Sequence, residues 1–75
     1  MSLYNDIEAV LAKDLGPSAQ LFLKRQVERH LKKDSQMIVQ NDLDELAKWC
    51  YIGVKLTLGE AIAERVKGNV LNLKK

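Results

Sequence analysis

The chain has 75 residues, 47% of them hydrophobic and 29% charged, and its formal net charge is +2 at pH 7. This balance excludes a disordered chain and is typical of one small globular domain, which we assign to residues 1–75. The single cysteine, Cys50, excludes a secreted domain held together by internal disulfides. We expect a cytoplasmic protein, because neither a leader peptide nor an apolar run of about 20 residues is visible.

The small net charge hides four blocks of alternating sign. Residues 1–16 sum to −2 and residues 17–33 to +4, whereas residues 34–47 sum to −4 and residues 48–75 to +4. Such blocks can pair within one fold or between two copies of it, because opposite charges attract at short range. A chain this short also buries only about 60% of its unfolded surface, which favours self-association.

Helical spacing of apolar residues predicts the first two helices at approximately residues 3–14 and 17–33. Ser2 is a favourable N-cap for the first helix, and Gly16 is a stop signal after it. Pro17 suits the first turn of the second helix, because its missing N–H has no partner there anyway. The stripes that we expect to face the core are Leu3, Ile7, Val10 and Leu11, then Ala19, Leu23, Val27 and Leu31.

The third predicted helix, at approximately residues 43–56, is apolar on two sides. Asp42 and Glu45 match a capping box at its start, with Asp in place of Ser or Thr. Two apolar sides indicate a helix that lies between neighbours, so we place it in the centre of the domain. Gly53 is predicted to let another helix approach closely. The two stripes are Leu43, Leu46, Ala47, Cys50 and Val54, and Trp49, Ile52 and Leu56.

A capping box from Thr57 to Glu60 predicts the start of the fourth helix, at approximately residues 58–68. Gly68 is expected to end this helix early, and residues 37–39, too apolar for a free loop, to fold over the core. Short connections make successive helices roughly antiparallel. The predicted fold class is therefore all-α, a compact bundle of about four short helices. The expected inner face of the fourth helix is Leu58, Ile62 and Val66, extended by Val70 and Leu73 if the helix continues.

Four basic side chains of the second helix share one side at about 100° per residue: Arg25, Arg29, Lys32 and Lys33. Phe22 lies within the same sector. A basic face that includes an aromatic ring is one form of nucleic-acid surface. The simpler interpretation is a solvated helix face whose Phe22 contacts a neighbouring helix or a partner subunit. We favour the simpler interpretation, because one basic helix is common and the net charge is small.

The sequence contains no residue set typical of catalysis or metal binding. His30, the only histidine, lies on the apolar side of its helix, where we expect it to be packed and hydrogen-bonded. Cys50 lies in the most apolar helix, where a free cysteine behaves as a small hydrophobic residue. Asp42, Asp44 and Glu45 coincide with a helix start, which explains them without a metal. We therefore expect no catalytic residue, no metal ligand and no cofactor, and a protein that is not an enzyme.

A segment around Gly-Pro, residues 11–26, carries a resemblance to known proteins. Its pattern is a hydrophobic pair, Gly-Pro, a small residue, several apolar residues and a basic one. The matching residues are Leu15, Gly16, Pro17, Ala19, Leu21, Phe22, Leu23 and Arg25. The segment resembles a small all-helical, Gly-Pro-containing domain that accompanies certain bacterial signalling serine/threonine kinases and response regulators. The resemblance implies a small regulatory or assembly module without chemistry of its own.

These features favour a non-enzymatic protein–protein interaction or regulatory module that self-associates, with a second copy or another protein as its partner. A homodimer is the simplest assembly. Docking the second helix on another copy would place Phe22 at the centre of the interface and the arginines at its rim. The alternative is a nucleic-acid-binding protein that uses the basic face, and no membrane is expected as a partner. The predicted interaction surface is Leu21, Phe22, Arg25, Arg29, Lys32 and Lys33.

Overall fold

The computed structural model describes residues 2–34 and 37–74, and α-helices account for most of them. The helices are α1 (Leu3–Leu15), α2 (Ala19–Gln26), α3 (Leu43–Leu58) and α4 (Glu60–Leu71). The chain has a radius of gyration of 10.9 Å, and no strand occurs within the two described ranges. The predicted all-helical, compact class is therefore confirmed.

The predicted count of about four helices is not confirmed, since only three α-helices, α1, α3 and α4, are 12 residues or longer. The predicted helix 17–33 is a composite: a 3₁₀ turn at Gly16–Ser18, the 8-residue α2 and a π-helical turn at Val27–Leu31. The N–H of Lys32 donates to the carbonyl of Val27 at 2.9 Å. This hydrogen bond joins residues five apart instead of four, so the turn is wider than in an α-helix. Lys32 then adopts a left-handed conformation with φ 54°, so the helix ends before Lys33.

The first helix begins and ends almost where it was predicted, at Leu3–Leu15 rather than 3–14. Ser2 is its N-cap, because the side-chain oxygen of Ser2 accepts the N–H of Asn5 at 3.1 Å. The N–H of Gly16 donates to the carbonyl of Ala12 at the other end of the helix. Local capping chemistry is therefore sufficient to define both ends of α1.

The capping box predicted at the start of α3 is wrong. The carboxylate of Asp42 accepts the N–H of Val39 at 3.0 Å and the ammonium of Lys33 at 2.8 Å, and makes no cap hydrogen bond to α3. A 3₁₀ turn at Gln40–Asp42 leads directly into Leu43. The acidic residue therefore closes the turn before the helix and ties it to the end of the π-helical segment.

The capping box predicted from Thr57 to Glu60 is also wrong, because α3 continues through Thr57 to Leu58 instead of ending at residue 56. The hydroxyl of Thr57 donates back to the carbonyl of Gly53 at 3.1 Å, as helical threonines do. Gly59, with φ 96°, makes the whole connection to α4, a conformation that favours glycine. The last helix then runs to Leu71 and is not ended by a glycine at position 68.

The core lies where α3 packs on α4, with α1 against α2 and α4, and with α2 and the π-helical turn against α3. Its buried residues are Ile7, Leu11, Ala19, Leu23, Val27, Ile38, Leu43, Leu46, Ala47, Cys50, Val54, Ala63, Val66 and Val70. The first predicted stripe of α3 is therefore confirmed. The second stripe is not, since Ile52 is exposed and Leu56 is 81% exposed. One side of α3 therefore faces solvent, although α3 still packs against α4, α2 and the π-helical turn.

Residues 37–39 were expected to fold over the core, and only the middle one does. Ile38 is buried, whereas Met37 and Val39 are both exposed. The N–H of Met37 closes a turn on the carbonyl of Asp34 at 2.9 Å, whereas the backbone of Val39 is extended. This segment thus anchors itself with one side chain and presents two others to solvent.

Candidate protein-interaction groove

A groove of about 440 Å³ lies between the first turns of α2 and the last turn of α3. Its lining includes Leu21, Phe22, Arg25 and Arg29 from the second helical segment, and Leu58 from the end of α3. Four of the six residues of the predicted interaction surface thus line one concave site. We call this site the α2–α3 groove.

Phe22 enters the groove from a close contact between the two helices. A Cβ atom placed on Gly53 would lie 2.8 Å from Cε1 and 3.0 Å from Cζ of the Phe22 ring. Only glycine allows the ring to lie so close to the backbone of α3, as the sequence predicted for this position. The ring is half-buried, and this contact holds it at the groove.

The rest of the groove is strongly apolar at its exposed edge. Leu21 is 54% exposed and Leu58 is 47% exposed, although both are large aliphatic side chains. The buried side chain of Val54 and the half-buried Leu15 belong to the same lining. Exposed apolar groups gathered in a concavity are typical of binding sites, whereas single exposed leucines are ordinary.

The charge in the groove has one sign. Arg25 and Arg29 are both exposed and line it, and no acidic residue is part of the described lining. Neither guanidinium forms an ion pair with a residue in the described part of the chain. The groove therefore offers an apolar surface with two available cations beside it.

Lys32 and Lys33 do not join this site, so the predicted basic face is wrong in its C-terminal part. The π-helical turn and the left-handed Lys32 break the regular spacing on which that face depended. The ammonium of Lys33 lies 2.8 Å from Asp42 instead, and Lys33 lines a smaller depression of about 190 Å³ together with Tyr4 and Glu28. Lys33 thus lies away from the groove that Arg25 and Arg29 line.

Six residues of the groove lining are absent from the predicted surface: Leu15, Ser18, Gln26, Val54, Thr57 and Leu58. The sequence predicts Leu58 on the inner face of the last helix, because Thr57 and Glu60 match a capping box at a helix start. The adjacent Gly59 was the available signal, since a glycine after apolar helical residues often marks a helix end. A helix that ends at Gly59 has Leu58 on its last turn, which is where the structure places it.

The remaining candidates for chemistry are part of the packing. His30 stacks on Trp49 with ring centroids 3.9 Å apart and planes within 6°, so it is packed, although the described residues show no hydrogen bond to it. Burial raises the pKa of the Cys50 thiol to about 12, which keeps it protonated and unreactive at neutral pH. No group of three potential metal ligands is found between residues 2 and 34 or 37 and 74.

No protein-family model, curated protein or solved structure matches this chain. The resemblance of residues 11–26 to the Gly-Pro-containing signalling domains therefore stays a prediction. None of the helices in the described ranges is long and apolar enough to span a bilayer. The geometry of the α2–α3 groove is accordingly the main guide to function.

Proposed function

We propose that this protein is a non-enzymatic interaction module that self-associates through the α2–α3 groove. The observation that carries the proposal is the gathering of Leu21 and Leu58, each about half exposed, beside the half-buried Phe22 in one concave surface. Covering such side chains releases about 25 cal/mol for each Å² of apolar surface removed from water. An aromatic side chain in a pocket with arginines beside it is also the usual composition of an interface centre.

The small size of the domain supports self-association. A chain of 75 residues has a limited core of its own, and a second copy would cover apolar surface that the monomer leaves in water. The resemblance of residues 11–26 to regulatory domains points to the same class of function. A protein with these properties would act as an assembly or regulatory element, by bringing together whatever is attached to its copies.

The chemistry of the described residues supports a non-enzymatic role. A catalytic site needs a nucleophile or an acid–base pair that substrate can reach. The one cysteine is buried and protonated, and the one histidine is stacked on Trp49. The α2–α3 groove itself contains arginines, a serine, a threonine and a glutamine among its polar groups, but no general base.

Nucleic-acid binding is the alternative, and the geometry supports it less well. A polyanion is held by several cations arranged along its backbone. Here Arg25 and Arg29 stand beside an apolar groove, whereas Lys33 is paired with Asp42 on another part of the surface. Two cations next to exposed leucines fit an apolar, partly acidic protein segment better than a phosphate backbone.

The proposal is tested by sedimentation velocity over a wide range of protein concentration. We expect the wild-type chain to associate and the double variant Leu21→Ser/Leu58→Ser to remain monomeric, because it loses the apolar edge of the groove. The matched control is Ile52→Ser/Leu56→Ser, which removes two exposed aliphatic side chains of α3 that are not part of the groove lining. Circular dichroism of each variant checks that the helices remain.

Two results would contradict the proposal. The first is a wild-type chain that stays monomeric at its highest soluble concentration, and the second is equal dissociation of the groove variant and the control variant. A fluorescence-anisotropy titration with mixed-sequence oligonucleotides tests the alternative. Binding at low salt that weakens steeply with added salt, and is lost in Arg25→Glu/Arg29→Glu, would favour nucleic-acid binding instead.

A further inference from the structure

The α2–α3 groove requires an occupant with exposed apolar side chains, and the chain itself offers two candidates. The large hydrophobic side chains exposed in the described residues fall into three pairs. Leu21 and Leu58 belong to the groove. The other pairs are Ile52 with Leu56 on α3, and Met37 with Val39, which are 64% and 51% exposed, before α3.

The charges around these pairs distinguish them. Ile52 has Lys48 and Lys55 at four residues before and three residues after it on α3, so two cations share its side of the helix. Placing this side against Arg25 and Arg29 would bring like charges together. The Ile52–Leu56 pair is therefore a poor occupant for this groove.

Met37 and Val39 lie in a segment of the opposite sign. Residues 34–47 contain four acidic residues and no basic one. Asp44 and Glu45 are both exposed in the first turn of α3, shortly after the apolar pair. The carboxylate of Asp42 is held by Lys33 and by the Val39 N–H, so Asp44 and Glu45 are the acids of this segment that a partner's cation can reach. Asp44 pairs with Lys74 at 2.7 Å, but an exposed pair of this kind is weak and can exchange its partner. We call residues 37–45 the acidic segment.

We infer that the acidic segment of a second copy occupies the α2–α3 groove, with Met37 and Val39 against its apolar lining and Asp44 and Glu45 beside Arg25 and Arg29. This arrangement rests on the proposed self-association and assigns the partner surface. Methionine suits a groove of irregular shape, because its unbranched side chain adapts to the space available. The charges are then opposite on the two sides of the contact, which favours this register over others.

The same charges disfavour the symmetric alternative. A two-fold dimer with groove against groove would place Arg25 and Arg29 of each copy opposite those of the other, with no acidic residue in the described lining to compensate. A contact between the groove of one copy and the acidic segment of another closes as a two-fold dimer if the second copy returns it, and is head-to-tail if it does not. The head-to-tail form repeats, so it either closes into a ring or extends as a filament.

Mixing two variants, each damaged on one side, tests this arrangement. The groove variant is Leu21→Ser/Leu58→Ser, and the segment variant is Met37→Ser/Val39→Ser. Val39 binds Asp42 through its backbone N–H, so this hydrogen bond survives the side-chain change. Each variant alone should be monomeric, with its apparent dissociation constant raised about tenfold or more.

A mixture of equal amounts should form a heterodimer, because the intact groove of one variant meets the intact acidic segment of the other. Growth must stop there, since both remaining surfaces are damaged. Native mass spectrometry with one variant isotopically labelled identifies the 1:1 species, and sedimentation velocity gives its amount. The heterodimer should weaken with added salt, because charged pairs contribute to the contact.

The outcomes separate this inference from the proposed function. A segment variant that associates like wild type overturns the acidic segment as occupant, while dissociation of the groove variant still supports the groove. Two monomeric variants that form no heterodimer on mixing overturn the pairing of the groove with the acidic segment. A monomeric wild-type chain overturns both.

Discussion

α2 and α3 meet in two different ways within one helical turn. At Gly53 the backbone of α3 lies so close to Phe22 that a single added methyl group would meet the ring at 2.8 Å. One turn later, at Thr57 and Leu58, the same two helices leave a groove of about 440 Å³. Phe22 belongs to both places, since it packs on Gly53 and lines the groove.

Stability and the proposed association should therefore depend on different residues of this helix pair. The close contact positions the two helices and leaves no space for a ligand. The edge of the groove contributes little to the stability of the monomer, because Leu21 and Leu58 remain about half exposed there. Changes at Gly53 should therefore act on folding, and changes at the groove edge should act on association.

The largest effect on stability is expected from Gly53→Val. The new side chain must displace the Phe22 ring or push α2 away from α3, and overpacking of this kind typically costs about 1–3 kcal/mol. Chemical denaturation followed by circular dichroism measures the free energy of unfolding. Since the ring also lines the groove, the variant should associate less well than wild type.

Gly68→Val is the matched control, because Gly68 is also inside a helix but has no atom within 4 Å of an added Cβ. Valine has a somewhat higher helix propensity than glycine, so this variant should be as stable as wild type or gain up to about 0.5 kcal/mol. Equal destabilisation by the two substitutions would show that the contact of Gly53 with Phe22 does not control the packing.

A smaller effect is expected at the opposite end of α3, where Asp42 closes the preceding turn. Partial burial by itself would raise the pKa of Asp42, but hydrogen bonds from Lys33 and the Val39 N–H, with the charge of Lys33, lower it below its ordinary value of 3.8. A carboxyl whose pKa is lower in the folded state stabilises the fold above its unfolded pKa. This contribution to stability is lost as the pH falls through the lower pKa that Asp42 has in the folded state.

Asp42→Asn should therefore reduce stability at neutral pH and flatten the loss of stability on acidification below about pH 4. Thermal unfolding at a series of pH values measures both effects. Asp44→Asn is the control, since the Asp44–Lys74 pair is exposed and such pairs contribute little. An acid transition that is the same in Asp42→Asn as in wild type would argue against this role.

The smallest effect on monomer stability is expected from Leu21→Ser/Leu58→Ser, although its effect on association should be the largest. Substitutions at exposed positions usually change the free energy of unfolding by less than about 0.5 kcal/mol each. Denaturation at a concentration low enough to keep the wild-type chain monomeric isolates this contribution. A loss as large as that of Gly53→Val would mean that the groove edge is part of the core.

Features that depend on neighbouring residues were the easiest to predict. The Ser2 cap, the end of α1 and the buried stripe of α3 follow from short patterns in the chain. The predicted capping box at Thr57 is wrong because the Thr57 hydroxyl has two possible hydrogen-bond partners. A threonine can cap a following helix or bond back to the carbonyl four residues before it, and here it bonds to Gly53.

The candidate site was predictable only in part for the same reason. Phe22, Leu21 and the two arginines share a helix, so their proximity follows from helical geometry. Leu58 comes from another helix, and its place depends on where α3 ends. The prediction that Lys32 and Lys33 share a face with the arginines is wrong for a similar reason. The spacing of apolar residues does not reveal a π-helical turn, and such a turn shifts the direction of every later side chain.

Sequence patterns alone predicted the all-helical class, most of the residues that are buried and the need for a glycine at position 53. These features depend on periodicity, on caps and on the absence of a side chain, all of which are local properties. Only the tertiary structure decided that Leu58 joins Leu21 and Phe22 beside the arginines, and that Ile52 and Leu56 stay in water. The free energy of burial depends on which helices meet, and this choice is made by the whole chain at once.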